Sequence, residues 1–191
     1  EKEQSSRAKE KVVVVLGGSQ GALAINEMLP KAIGGIAPEL LRDLRVIHQA
    51  GDKDVDGVRS QYSSFGVNAR VEPFFKDMAS LYSQADIIVS RAGATTLAEI
   101  SVLGKPAILI PYPYAADNHQ QKNGEHYVNG GGAIQFIQKT LSPEQLGAAV
   151  SDLLKNEKKR QKMSAAMKKL AYPDAAERIV SCCLERMEAR S

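Results

Sequence analysis

Apolar positions fall along the chain in two alternating rhythms. Val12-Val13-Val14-Val15-Leu16 is an unbroken apolar run, which predicts a strand over 12–16 covered on both faces, as in a parallel sheet. It stops at Gly17-Gly18-Ser19-Gln20-Gly21, after which Ala22, Ile25, Met28, Leu29 and Ile33 recur at helical spacing. The same alternation then repeats. Strands are predicted at 45–49, 69–72, 86–90, 107–110 and 133–137. Helices are predicted over about 55–63, from an Asp77 cap through Leu81 and Tyr82, over 94–103 and over 118–128. Ser142-Pro143-Glu144-Gln145 reads as a capping box with proline at the first helical position, and Leu141 and Leu146 as its hydrophobic staple. Leu146, Val150 and Leu153 form the stripe of that helix. A Lys-rich helical stretch covers 155–170, Tyr172-Pro173-Asp174 breaks it, and a last helix runs to about Glu188. Strands alternating with helices mean βαβ units, a parallel sheet and helices on both faces, so the fold class is α/β. Residues 1–11 are polar and mixed in charge and read as a tail or linker before a domain over 12–191 with a helical C-terminal extension.

Composition narrows the function classes. At 191 residues, 43% hydrophobic and 25% charged, the chain buries enough surface to fold without disulfides or a structural metal. No apolar run approaches the roughly 18–20 residues of a transmembrane helix, and no secretory leader is visible. A net charge of +3 carries no nucleic-acid footprint. Cys182 and Cys183 are adjacent and match no zinc or redox spacing, so free thiols are expected. The Lys155–Lys169 stretch lacks interleaved aromatics and reads as a solvated face, with a membrane surface as the alternative.

Ligands of open α/β sheets bind at the carboxyl ends of the strands. The residues following the predicted strands are therefore the candidates. The first glycine turn suits a phosphate at a helix start, although Ser19 breaks the dinucleotide fingerprint and no P-loop Gly-Lys-Ser/Thr follows. A plain tight turn is the alternative. Gly93-Ala94-Thr95-Thr96 again puts bare backbone N–H groups at a helix start, and Glu99 lies within the next turn. A carboxylate there could hold a ribose diol; a capping box from Thr96 to Glu99 is the competing explanation. Asp117-Asn118-His119-Gln120-Gln121-Lys122-Asn123 concentrates amides, which donate and accept and so suit sugar hydroxyls. A solvated helix start capped by Asp117 or Asn118 is again the alternative. His48, His119 and His126 have no metal-ligand spacing, and no catalytic Ser/His/Asp order is present.

Four motifs in order carry a resemblance. Gly17-Gly18-Ser19-Gln20-Gly21-Ala22, His48-Gln49-Ala50-Gly51, Arg91-Ala92-Gly93-Ala94-Thr95-Thr96-Leu97-Ala98-Glu99-Ile100 and Asp117-Asn118-His119-Gln120-Gln121-Lys122-Asn123 together resemble the MurG family of peptidoglycan N-acetylglucosaminyltransferases. The resemblance covers about residues 12–180 and only that family's C-terminal, donor-binding half. It implies a Rossmann-like domain of a GT-B enzyme, with UDP-N-acetylglucosamine as donor substrate and no metal or other cofactor. Gly18, Ser19 and Gln20 would meet the diphosphate. Phe75 would meet the uracil through its backbone, with Met78 beside it. Gly93, Ala94, Thr95 and Thr96 would lie along the phosphates and ribose, Glu99 would take the ribose hydroxyls, and Gln120, Gln121 and Asn123 would surround the sugar. No general base is nameable in this chain. An N-terminal acceptor domain is the implied partner. Through it the enzyme would reach a lipid-linked acceptor, as a cytoplasmic protein peripheral on the inner membrane, in the step from lipid I to lipid II. Other UDP-sugar GT-B enzymes (a glycolipid synthase, a split transferase or a UDP-N-acetylglucosamine 2-epimerase) and a non-catalytic nucleotide-binding module are the alternatives.

Overall fold

A computed structural model describes residues 10–17 and 22–188. Among them, β1 (Lys11–Leu16), β2 (Leu44–Gln49), β3 (Ala69–Glu72), β4 (Ile87–Ser90), β5 (Ala107–Leu109) and β6 (Ala133–Gln135) form one sheet. The strand order is β3-β2-β1-β4-β5-β6, and every pairing is parallel. This is the Rossmann-like order, in which the chain reverses direction across the sheet between β1 and β4.

Alternation within the strands explains the unbroken apolar runs. Val13 and Val15 of β1, Val46 of β2 and Ile87 and Val89 of β4 enter one core. There they meet α1 (Leu23–Gly34), α3 (Val55–Ser64) and α7 (Pro143–Lys155) through Ile25, Leu29, Ile33, Tyr62, Leu146 and Val150. Val12, Val14, Leu16, Ile47 and Ile88 point the other way. They meet α4 (Met78–Gln84), α5 (Ala94–Val102), α6 (His119–Asn129) and α8 (Glu157–Lys169). A strand covered on both faces has no solvent-facing side, so polar residues do not alternate along it and period two disappears from its sequence.

The structure moves a few boundaries. A four-residue helix, α2 (Pro38–Leu41), was not expected; it opens on proline and is too short to show a period. β6 stops at Gln135 instead of 137. Phe136 N–H still bonds Leu109 O, but Ile137 then turns the chain by accepting from Thr140 and Leu141. The Lys-rich helix begins only at Glu157, because Asn156 ends α7 and caps α8 by accepting from Lys159 N–H. Arg160 is buried and explains that corner: its guanidinium donates to the carbonyls of Leu153 and Leu154 at the end of α7. The expected tail falls partly outside the described residues, and Lys11 already belongs to β1.

The predicted capping box is present at α7. Ser142 Oγ accepts from Gln145 N–H, and Gln145 Oε1 accepts from Ser142 N–H. Ser142→Ala is expected to cost about 1 kcal/mol, seen as a melting temperature about 2–4 °C lower. The last helix, α9 (Ala175–Glu188), keeps its apolar stripe uncovered: Ile179, Val180 and Leu184 are all more than half exposed, at 64%, 57% and 53%. Cys182 and Cys183 are free and exposed on the same helix.

Candidate functional site

The parallel register places the ends of all six strands on one edge. Leu16 lies beside both Gln49 and Ser90, Gln49 beside Glu72, and Ser90 beside Leu109. The loops singled out in the sequence therefore leave the sheet together, on both sides of the point between β1 and β4. Gly18, Ser19 and Gln20 lie outside the described residues. The residue before them, Gly17, donates its N–H to Gln49 O at 3.1 Å and so lies alongside the end of β2.

A buried polar chain fixes that corner. Asn26 of α1, 2% exposed, donates from Nδ2 to Ala50 O and to Asp54 Oδ2, both at 2.8 Å. A carbonyl only accepts, so this fixes the orientation of the amide and turns Oδ1 toward His48 Nε2 at 3.0 Å. Nε2 must then carry the proton, and Nδ1 accepts from the Tyr62 hydroxyl at 3.1 Å. The run Tyr62 to His48 to Asn26 to Ala50 and Asp54 leaves no donor unpaired. Burial pushes the His48 imidazole down to about 3, so the ring is neutral. His48 is thus a core histidine that ties β2 to the helix following the glycine turn. Among the described residues no group of three His, Cys, Asp or Glu could hold a metal ion.

On the other side of β2, buried Gln49 accepts from Phe75 N–H at 3.1 Å through Oε1. The Phe75 side chain is itself buried in the second core. With its N–H engaged, Phe75 has only its carbonyl left to offer from the backbone. Asp77 then caps α4 as expected, accepting from Ser80 N–H at 2.9 Å, and α4 starts at Met78.

Met78 and Glu99 line one cavity of about 430 Å³ between α4 and α5, together with Ala79, Tyr82, Ala98, Val102 and Leu103. The capping-box explanation of Glu99 is overturned. Gly93 is the N-cap of α5, its first turn holds no acidic residue and no side-chain cap, and Thr96 already lies inside the helix. The N–H groups of Ala94, Thr95 and Thr96 are the first of the helix, and Ala94 and Thr95 are exposed. Glu99 is instead held from below: the Tyr82 hydroxyl donates to Glu99 Oε2 at 2.6 Å.

The third loop is braced onto the second. Arg91 donates to the carbonyls of Ile110 and Pro111 and stacks on Tyr112, its Cζ 5.6 Å from the ring centroid. Asn123 Nδ2 donates to Ala92 O at 3.3 Å, joining α6 to the start of α5. Gln120 Oε1 accepts from Tyr112 N–H at 3.0 Å, so its NH2 remains as a donor, whereas Gln121 donates to Glu125 on its own helix. Asp117 and Asn118 both have positive φ, 49° and 53°, in a tight left-handed corner before α6. Asn118 is the N-cap of α6 by position, but neither it nor Asp117 caps through its side chain, which corrects the capping alternative.

Met78 and Glu99 thus share a cavity, Gly93 to Thr96 head the helix bearing Glu99, and Asn123 touches the same loop. Gln120 and Gln121 sit on the neighbouring helix start. Sequence reasoning missed Asn26, Tyr62 and Tyr82, and quoted Gln49 only within the motif His48-Gln49-Ala50-Gly51, without its bond to Phe75 N–H. Only Asn26 left a signal, a polar residue on the apolar stripe through Ala22, Ile25 and Leu29.

The sequence matches the glycosyltransferase family 28 C-terminal domain over residues 12–179. It is 52% identical over 171 residues to a Desulfotalea psychrophila protein named UDP-N-acetylglucosamine–N-acetylmuramyl-(pentapeptide) pyrophosphoryl-undecaprenol N-acetylglucosamine transferase, covering 90% of this chain and 46% of that one. A Marinobacter nauticus protein of the same name is 45% identical, with 91% and 47% covered. The chain spans about half the length of the curated relatives it matches. Among solved structures, Acinetobacter baumannii MurG superposes with a TM-score of 0.85 at 32% identity, over 97% of this chain and 54% of that one. The glycosyltransferase of kitacinnamycin, at 23% identity and a TM-score of 0.67 over 95% of this chain and 46% of that one, shares the fold.

Proposed function

The chain belongs to the glycosyltransferase family 28 C-terminal domains, and from that premise we propose that it is the UDP-N-acetylglucosamine-binding half of an inverting GT-B transferase that converts lipid I to lipid II. The observation that carries the assignment is the pairing of two features on one helix, α5. The helix start of α5 has no side-chain cap, and a carboxylate from the same helix lines a cavity with Met78. Exposed N–H groups and the helix dipole favour a diphosphate. A carboxylate one turn further along suits the ribose diol of the same nucleotide. The names of relatives at 52% and 45% identity supply the sugar and the acceptor.

In this reading the residues divide the work as follows. Gly18, Ser19 and Gln20, with the N–H groups of Ala94, Thr95 and Thr96, stabilise the negative charge that develops on the departing UDP. The Phe75 carbonyl and Met78 bound the base, and Glu99 holds the ribose. Gln120 orients the sugar with its NH2 group, Gln121 and Asn123 flank it, and orientation lowers the barrier by fixing the anomeric carbon relative to its attacker. The helix ends supply the positive field in place of a divalent cation. Inversion needs a base that removes the acceptor hydroxyl proton. That base is assigned to an N-terminal acceptor domain, so this chain alone binds donor and transfers nothing. The exposed stripe of α9 is placed against that domain, and the assembled enzyme on the cytoplasmic face of the membrane. No helix of the described residues is long and apolar enough to cross a membrane.

Calorimetric titration with UDP-N-acetylglucosamine, UDP-galactose, UDP-glucose and ADP tests the proposal. The expected result is saturable binding of the uridine ligands, tightest for UDP-N-acetylglucosamine, and none of ADP. A preference for UDP-galactose would replace the proposal with a glycolipid synthase. Failure of every uridine ligand at millimolar concentration would leave a non-catalytic module.

A further inference from the structure

Tyr82 on α4 and Glu99 on α5 lie 17 residues apart, yet the Tyr82 hydroxyl donates to Glu99 Oε2 at 2.6 Å. The Tyr82 residue is 3% exposed and packs in the core beneath the sheet with Leu81, Leu97 and Ile100. Tyr82 and Glu99 line the same cavity as Met78. Burial first, then the hydrogen bond and the charge of Glu99, hold the phenol well above its ordinary range, so it stays a donor and Glu99 is its acceptor. Packing alone does not require the hydroxyl, because a phenylalanine would occupy the same core volume. What the oxygen adds is a fixed direction for an exposed carboxylate that would otherwise sample several rotamers.

We propose that Tyr82 is a positioning residue for nucleotide recognition: its hydroxyl holds the Glu99 carboxylate in the orientation that accepts both hydroxyls of a ribose diol, and so makes the site prefer a ribonucleotide over its 2′-deoxy counterpart. The inference rests on the assignment of Glu99 to the ribose. Two hydroxyls of a diol need two acceptor directions at fixed spacing. A carboxylate already held by one oxygen presents them without losing side-chain freedom on binding. It also explains why a tyrosine faces a glutamate across two helices that the fold could join by apolar contact alone.

The experiment uses this chain, Tyr82→Phe, Glu99→Ala and the double variant, each titrated with UDP and with 2′-deoxy-UDP, with a thermal melt of each. The parent is expected to prefer UDP. Tyr82→Phe is expected to weaken UDP binding by roughly 3- to 10-fold and 2′-deoxy-UDP binding by less, so that the preference shrinks. In the Glu99→Ala background the same substitution is expected to change nothing. A Tyr82→Phe variant that keeps the parental preference, whether or not its melting temperature falls, makes the contact a structural tie and overturns the inference while leaving Glu99 at the ribose. A Glu99→Ala variant that binds both ligands as the parent does, or a parent that binds neither, overturns the assignment of Glu99 and the inference with it.

Discussion

Asn26→Leu is expected to lower the stability of the chain by about 3 kcal/mol, with a melting temperature about 6–12 °C below the parent. The leucine keeps the branched shape of the side chain but puts two methyl groups where the amide oxygen and nitrogen met Ala50 O, Asp54 Oδ2 and His48 Nε2. What is lost is the centre of a buried polar chain. Ala50 O loses its 2.8 Å donor, and the His48 Nε2 proton loses its 3.0 Å acceptor. A buried group left without a partner costs far more than a hydrogen bond gains, about 1–3 kcal/mol each. A melting temperature within about 2 °C of the parent would show that the network contributes no net stability. The same network predicts an acid response. His48 titrates near 6.5 when unfolded and at about 3 when folded. Its contribution is therefore complete above about pH 6.5 and falls by about 1.4 kcal/mol per pH unit as acid is added, down to the folded value. Urea melts at pH 7 and pH 5 measure this slope, and His48→Gln removes it while other groups keep theirs. Equal pH slopes in the parent and in that variant would overturn the reading of His48 as a neutral buried ring.

Ala94→Asp is expected to move stability and ligand binding in opposite directions. Position 94 is exposed, opens α5, and follows a glycine N-cap, Gly93, which has no side chain to accept from the first N–H groups of the helix. A carboxylate there meets the positive end of the helix dipole, which stabilises by about 0.3–1 kcal/mol and raises the melting temperature by about 1–3 °C. The same carboxylate stands where the diphosphate is proposed to sit. Two like charges a few ångströms apart near a protein surface repel by several kcal/mol before salt screening. Affinity for UDP-N-acetylglucosamine is therefore expected to fall by roughly 10- to 100-fold at low ionic strength, with part of the loss relieved by added salt. Because the fold is made more stable, weaker binding cannot be ascribed to unfolding. An unchanged affinity would remove the N-terminus of α5 from the proposed donor site.

Particular residues show how far the sequence reached. The run from Val12 to Leu16 gave a buried central strand because both faces of β1 are covered, and an all-apolar strand has one reading at that length. Ser142 and Gln145 gave a helix start because a capping box is a local device, complete within four residues. Thr96 and Glu99 matched the same spacing and misled, because spacing does not say where a helix begins; the backbone at Gly93 does. Gln121 and Asn123 were legible as amides near a strand end, but not that one would pair with Glu125 and the other with Ala92 O.

The sequence by itself determined the alternation of strands and helices, the parallel sheet and the loops at which a ligand could be met. Those follow from periodicity and turn chemistry, which act over a few residues. Only the tertiary structure decided that His48 is a neutral core group, that Gln49 engages Phe75 N–H, and that Tyr82 holds Glu99. Each of those contacts joins residues 14 to 26 positions apart across separate elements, and a hydrogen bond depends on distance and direction, which no local pattern of residues encodes.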